Sequence, residues 1–164
     1  MKNNTTKQTT KENTIVIIDR LKEKKKTITF AESCTGGRIA AEFTAISGAS
    51  SVLMGSAVTY ANEIKSAWLE VKEETLINHG AVSSQCVEEM LSGILKMASA
   101  DYAMAVSGIA GPTGGTDDKP VGTVYIGVSN GVKSIVERHL FKGNRESVQE
   151  QATATVISLF KKIL

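Results

Sequence analysis

The order of apolar and turn-forming runs predicts an α/β fold, a three-layer α/β/α single domain built on a mixed, mainly parallel sheet. Five short β-prone runs alternate with segments of helical spacing along the chain. Asn130-Gly131 between the last two such runs is a strong hairpin signal, so one antiparallel pair should interrupt the parallel order. The two longest helical patterns, 84–99 and 145–163, carry broad apolar stripes that read as core.

The elements follow in order. Residues 1–13 are polar, lack the apolar stretch of a signal peptide, and are expected to form a disordered tail ahead of a domain spanning 14–164. A helix is predicted over 14–24; the basic run Lys22-Glu23-Lys24-Lys25-Lys26 at its end has no neighbouring aromatics and reads as a solvated terminus. Strand 27–31 leads into helix 35–46. A second strand, 52–60, precedes Asn62, a good N-cap for a helix over 62–68. Helix 84–99 sets Val87, Met90, Leu91, Ile94, Leu95 and Ala98 on one face. Strands 102–106, 122–128 and 132–141 follow, and helix 145–163 closes the chain with Val148, Ala152, Val156, Leu159, Phe160 and Ile163 on its inner face.

Chemistry concentrates at the turn after the first strand. Residues 31–37, Ala-Glu-Ser-Cys-Thr-Gly-Gly, place Ser33, Cys34 and Thr35 against a glycine pair at a strand-to-helix junction, where α/β folds mount reactive groups. Gly36 and Gly37 permit close approach of a ligand, and free N–H groups there can stabilise developing negative charge. On residue chemistry alone, Ser33 and Cys34 compete equally as nucleophile, because a helix N-terminus would lower a thiol pKa. A second polar cluster, Val58 to Lys65, puts Lys65 in the first helical turn. The positive end of the helix dipole disfavours its charge there and moves it towards use as a base. The segment 107–115, Ser-Gly-Ile-Ala-Gly-Pro-Thr-Gly-Gly, has the composition of an anion-cradling loop and contributes Ser107, Gly108, Gly111 and Gly114. It matches neither a P-loop nor a Gly-x-Gly-x-x-Gly fingerprint. Arg145, at the start of the last helix, is the best single candidate for a cationic clamp, its planar fork suited to the oxygens of an anion.

The rest of the composition excludes other classes. The 164 residues carry a net charge of +2, which is no nucleic-acid signature, and no apolar run approaches 18 residues, so no membrane span is expected. The two histidines, His79 and His139, read as structural, and with two distant cysteines they make no metal site. No cofactor is expected. Two cysteines outside any Cys-x-x-Cys suggest a reducing, cytoplasmic setting.

Taken together, 31–37, Thr59-Tyr60-Ala61-Asn62-Glu63-Ile64-Lys65, Gly80-Ala81-Val82-Ser83, 107–115 with 121–127, and Gly143-Asn144-Arg145-Glu146-Ser147-Val148 resemble the CinA C-terminal domain family, whose single-domain members include nicotinamide-nucleotide amidohydrolases. The resemblance implies deamidation of nicotinamide mononucleotide through a serine acyl-enzyme. It casts Ser33 as nucleophile, Lys65 and Tyr60 as the base system, and a pyridine mononucleotide as the small-molecule partner. Cys34, Thr35 and Gly36 would then line the substrate, with N–H groups over 34–36 forming the oxyanion hole. A homodimer is also compatible with the family. Three positions depart from the family pattern: Ser56, where a second glycine is common, Asn144, where an acidic residue is usual, and Gln149, where a base is often found. The alternative is a non-catalytic nucleotide-binding or regulatory module.

Overall fold

A computed structural model describes residues 2–164. Its elements run α1 Lys2–Lys24, β1 Ile28–Glu32, α2 Arg38–Thr44, β2 Leu53–Val58, α3 Asn62–Leu69, α4 Glu73–His79, α5 Ser84–Ala98, β3 Tyr102–Gly108, β4 Thr123–Ser129, β5 Ser134–Leu140 and α6 Arg145–Ile163. The sheet order is β2-β1-β3-β4-β5, which leaves β2 and β5 outermost. β1 pairs in parallel with β2 and β3, whereas β4 runs antiparallel to both β3 and β5. The one reversed strand therefore makes two antiparallel ladders rather than the single pair expected from the hairpin.

Period-two alternation divides the core into two layers. Ile28, Phe30, Met104, Val106, Ile126 and Val128 face one side and pack with Ile17, Ile18 and Leu21 of α1 and with Val148, Ala152, Val156 and Phe160 of α6. Ala31, Ala57, Ala103 and Ala105 face the other, against Val87, Met90, Leu91 and Ile94 of α5. The small residues on that side let α5 approach closely. A Cβ on Gly127 would fall 2.6 Å from Val87 Cγ1 and 2.8 Å from Leu91 Cδ1.

α3 is seated on α5 in the same way, through Gly93. A Cβ there would lie 1.9 Å from the Leu69 carbonyl oxygen. Gly93→Ala should therefore lower stability by about 1–3 kcal/mol through overpacking, even though alanine is the better helix former by roughly 1 kcal/mol. Urea unfolding checks this, and an unchanged or raised midpoint would contradict the tight seat.

Several boundaries differ from the sequence reading for identifiable reasons. The expected disordered tail is instead the start of α1, which begins at Lys2; Met1 lies outside the described residues. Thr10 and Thr14 are buried, their hydroxyls donate to the carbonyls of Thr6 and Thr10, and Lys7 pairs with Glu150 of α6 at 3.0 Å. The polar segment is thus tied to the fold at Thr10 and Lys7, while residues 5–9, 11 and 12 stay exposed. Of the basic run, Lys26 pairs with Asp101 at 2.7 Å. α4 is short and weakly periodic, so its sequence carried no clear helical pattern. The N-cap of α3 is Ala61, not Asn62, and supplies no side-chain cap. α6 is capped by Asn144, whose Oδ1 accepts from the Ser147 amide at 2.9 Å, so the asparagine fulfils the capping role an aspartate would.

Candidate active site

β1 ends in a turn where five hydrogen bonds converge on one side chain. Glu32 is fully buried. Its carboxylate accepts from the amides of Gly37 (3.0 Å), Ile39 (3.1 Å) and Ala40 (3.0 Å) and from the hydroxyls of Thr35 (2.7 Å) and Ser56 (3.3 Å). A negative charge on the opening turn of α2 satisfies donors that would otherwise be orphaned and complements the helix dipole. The chain enters that turn through left-handed Gly36 (φ 60°) and Gly37 (φ 94°), which is why α2 starts at Arg38 and not at Thr35. The Ser56 departure is also explained, since its hydroxyl is one of the five donors. Sequence reading passed over Glu32; its only signal was a charged residue at the end of an otherwise apolar strand. In Glu32→Gln an amide NH2 must face at least one of these donors, so a loss of about 2–3 kcal/mol is expected in urea unfolding. Wild-type stability in that variant would contradict the account.

Beside this turn stands Ser33, whose amide is held by the Val106 carbonyl at 3.0 Å. Lys65, 1 % exposed, extends from α3 so that its Nζ lies 3.1 Å from Ser33 Oγ. The same Nζ donates to the carbonyls of Thr59 (2.7 Å) and Tyr60 (3.1 Å). β2 stops at Val58, so both carbonyls fall beyond the ladder and are free to turn inward. Burial lowers the pKa of Lys65, against weaker opposing contributions from Cys86 and Cys34. Desolvation, rather than the helix dipole, is thus the leading cause. A neutral amine has two N–H groups and one lone pair. With the N–H groups on the two carbonyls, the lone pair is left for the Ser33 hydroxyl.

Cys34 does not share this activation. Burial pushes its thiol up to about 12, with its own amide and Lys65 only partly opposing, so it is a thiol at neutral pH. The expected lowering by the helix start is overturned by desolvation.

Ser33, Cys34, Tyr60, Lys65, Ser107, Gly108, Gly111, Gly114 and Arg145 all line one cleft of about 270 Å³. Thr35 and Gly36 do not line it. Thr35 is wholly buried with its hydroxyl on Glu32, and the Gly36 amide donates to the Ser33 carbonyl at 3.1 Å. The Ser107 hydroxyl donates to the Ala81 carbonyl at 2.8 Å and can still accept from a ligand. Asn62, Ala81, Val82, Ile109, Ala110 and Thr113 complete the lining; the sequence placed them in its motifs or, for Asn62, at a helix start, without giving them a site role.

The far side of the cleft is built by Arg145 and the glycine loop. Arg145 Nη1 donates to the Gly111 carbonyl and Nη2 to the Tyr60 hydroxyl, each at 2.8 Å. The Tyr60 hydroxyl is therefore turned to Arg145, and among the described residues it bonds neither Ser33 nor Lys65; Tyr60 meets Lys65 through its carbonyl. The amides of Ala110, Gly111, Thr113, Gly114 and Gly115 reach no acceptor among the described residues, as a loop that receives an anion requires. His79 and His139 lie outside the cleft, and no cluster of metal-ligating side chains occurs among the described residues. No helix among the described residues is long and apolar enough to cross a membrane.

Comparison with known proteins places these features in context. The family model for the CinA C-terminal domain matches residues 10–164. A CinA-like protein of Endomicrobium trichonymphae is 50% identical over 144 residues, 88% of this chain and 34% of that protein. The chain spans about a third of the length of the first such curated relatives it matches. The nicotinamide-nucleotide amidohydrolase PncC of Escherichia coli is 50% identical over 135 residues, covering 82% of each chain. Among solved structures, the competence damage-inducible protein A of Klebsiella pneumoniae superposes with a TM-score of 0.90 at 39% identity, over 93% of this chain and 95% of that one. A CinA superfamily protein of Enterobacter cloacae gives 0.91 at 34% identity, over 94% and 91%.

Proposed function

The chain belongs to the CinA C-terminal domain family, and from that membership we propose that it hydrolyses the carboxamide of nicotinamide mononucleotide, giving nicotinate mononucleotide and ammonia. The observation that carries this reading is the buried Lys65 amine 3.1 Å from Ser33 Oγ, in a cleft that is also lined by Arg145 and by loop residues with free amides. A site that only bound a nucleotide would have no use for that pair. The name of the Escherichia coli relative, a nicotinamide-nucleotide amidohydrolase similar over 82% of each chain, supports the same substrate class.

In this mechanism Ser33 Oγ attacks the carboxamide carbon while Lys65 Nζ takes its proton. The resulting oxyanion is held by backbone N–H, and the tetrahedral intermediate collapses as Lys65 returns the proton to the departing nitrogen. Ammonia leaves and a nicotinoyl ester remains on Ser33. A water, deprotonated by Lys65, attacks that ester and regenerates the serine. Arg145 and the loop over 107–115 hold the phosphate. Tyr60 acts at both ends, its carbonyl fixing Lys65 and its hydroxyl fixing Arg145. The cytoplasm is the proposed setting, a reading supported by both cysteines being free thiols.

The test is ammonia release from nicotinamide mononucleotide by the purified protein, with nicotinate mononucleotide formed in equal amount. Binding without release would remove the enzyme assignment for this substrate and favour a regulatory nucleotide-binding module.

A further inference from the structure

Two amides beside the nucleophile are left without a partner in another residue, and one of them belongs to a residue that lines the cleft. Ser33 N donates to Val106, Gly36 N to Ser33, Arg38 N to Thr35, and Gly37, Ile39 and Ala40 to Glu32. Over residues 33–40, only the amides of Cys34 and Thr35 reach no acceptor in another described residue, that of Cys34 having only its own thiol beside it. Thr35 is wholly buried, whereas Cys34 lines the cleft directly after Ser33. Buried amides are nearly always paired, so a free one beside a nucleophile is a donor held ready for a ligand oxygen.

What holds Cys34 in place comes from α6. Gln149 is 8 % exposed on a buried helix face it shares with Val148, Ala152, Thr153 and Val156, where a polar side chain is costly unless it has a partner. Its partner is the Cys34 carbonyl, 2.8 Å from Nε2, and no other described group donates to that oxygen. Gln149 lies one helical turn from Arg145, so a single face of α6 reaches Cys34 as well as Gly111 and Tyr60.

We propose that Gln149 is a positioning residue for the acyl-transfer step, fixing Cys34 so that its amide points at the oxyanion that forms on Ser33 attack. This rests on the hydrolytic reading above. Residue 149 thereby acts on the transition state without touching the substrate, and its loss should lower kcat while leaving KM in place.

The experiment compares wild type with Gln149→Met, which keeps the shape but has no donor, and with Gln149→Lys, which restores one. Each is assayed for ammonia release from nicotinamide mononucleotide, and for Ser33 acylation by p-nitrophenyl acetate followed by mass, a probe that needs no nucleotide subsite. Gln149→Met should lower kcat and the acylation rate roughly tenfold to a hundredfold with KM within about twofold, and Gln149→Lys should recover most of that loss. Unchanged kcat and acylation in Gln149→Met would overturn the proposal. So would a loss that tracks only a lowered melting temperature and is not recovered by lysine. Wild type that is acylated but releases no ammonia removes the proposed substrate while acylation rates still decide the role of Gln149; wild type inert to both probes overturns both readings.

Discussion

Ser33→Ala is expected to reduce ammonia release from nicotinamide mononucleotide by at least about 10³-fold, whereas Cys34→Ala retains activity within about tenfold. The two side chains are adjacent and line the same cleft, so position alone does not separate them. Their activation does. Ser33 Oγ has Lys65 Nζ at 3.1 Å as a proton acceptor, while burial holds the Cys34 thiol up at about 12 and starves it of thiolate. The modest loss in Cys34→Ala reflects a small cavity and a slightly freer backbone at residue 34. A nicotinoyl adduct trapped by acid quench and located by mass on Ser33 would complete the assignment. An active Ser33→Ala variant, or an adduct on Cys34, would reverse it.

Lys65→Met should be equally damaging, with a loss of about 10²–10⁴-fold expected from removing a general base. The more diagnostic result is the pH profile of the wild type. Desolvation lowers the pKa of Lys65 from its ordinary 10.5, and the neutral amine is the active form. For a base of this kind kcat/KM rises with pH through the folded-state value and levels above it, so the ascending limb should lie below 10.5. Measurements above pH 7 avoid the second ionisation of the substrate phosphate, which falls near pH 6. Lys65→Arg should not rescue activity, since a guanidinium stays protonated and cannot accept the serine proton. A flat profile, or an active arginine variant, would remove Lys65 from the base role.

Much of this architecture is legible in the amino-acid sequence. The α5 and α6 stripes, the Asn130-Gly131 hairpin and the strand-to-helix turn at Ser33 follow from periodicity and turn chemistry, because those segments bury their apolar residues at regular spacing. Ser33 and Lys65 were suggested by local context, though sequence offered the helix dipole where desolvation proves the stronger cause. What was hidden depends on groups far apart in the chain. The helix over Lys2 to Asn13 meets the rest of the fold through buried Thr10 and the Lys7–Glu150 pair, contacts that a polar sequence does not announce. Glu32 gains its meaning from five donors that only the fold gathers. Gln149, a departure from the family pattern on paper, meets Cys34 across 115 residues of sequence. The Tyr60 hydroxyl was expected beside Lys65 and lies instead on Arg145, a choice between two rotatable partners that spacing does not encode.

The outermost place of β2 in the sheet gives Lys65 a second consequence. The carbonyls that grip the amine come from the two residues just past the end of this strand, where the ladder has a neighbour on one side only. If that rim detaches, Lys65 meets water and recovers its usual appetite for protons. At any pH between its lowered value and 10.5, detachment is therefore accompanied by proton uptake, and reattachment expels the proton. The open form binds more protons, so opening grows easier as pH falls and harder as pH rises, and it can occur well short of global unfolding. Alkalinity both readies the amine for catalysis and fastens the rim of the sheet that holds it.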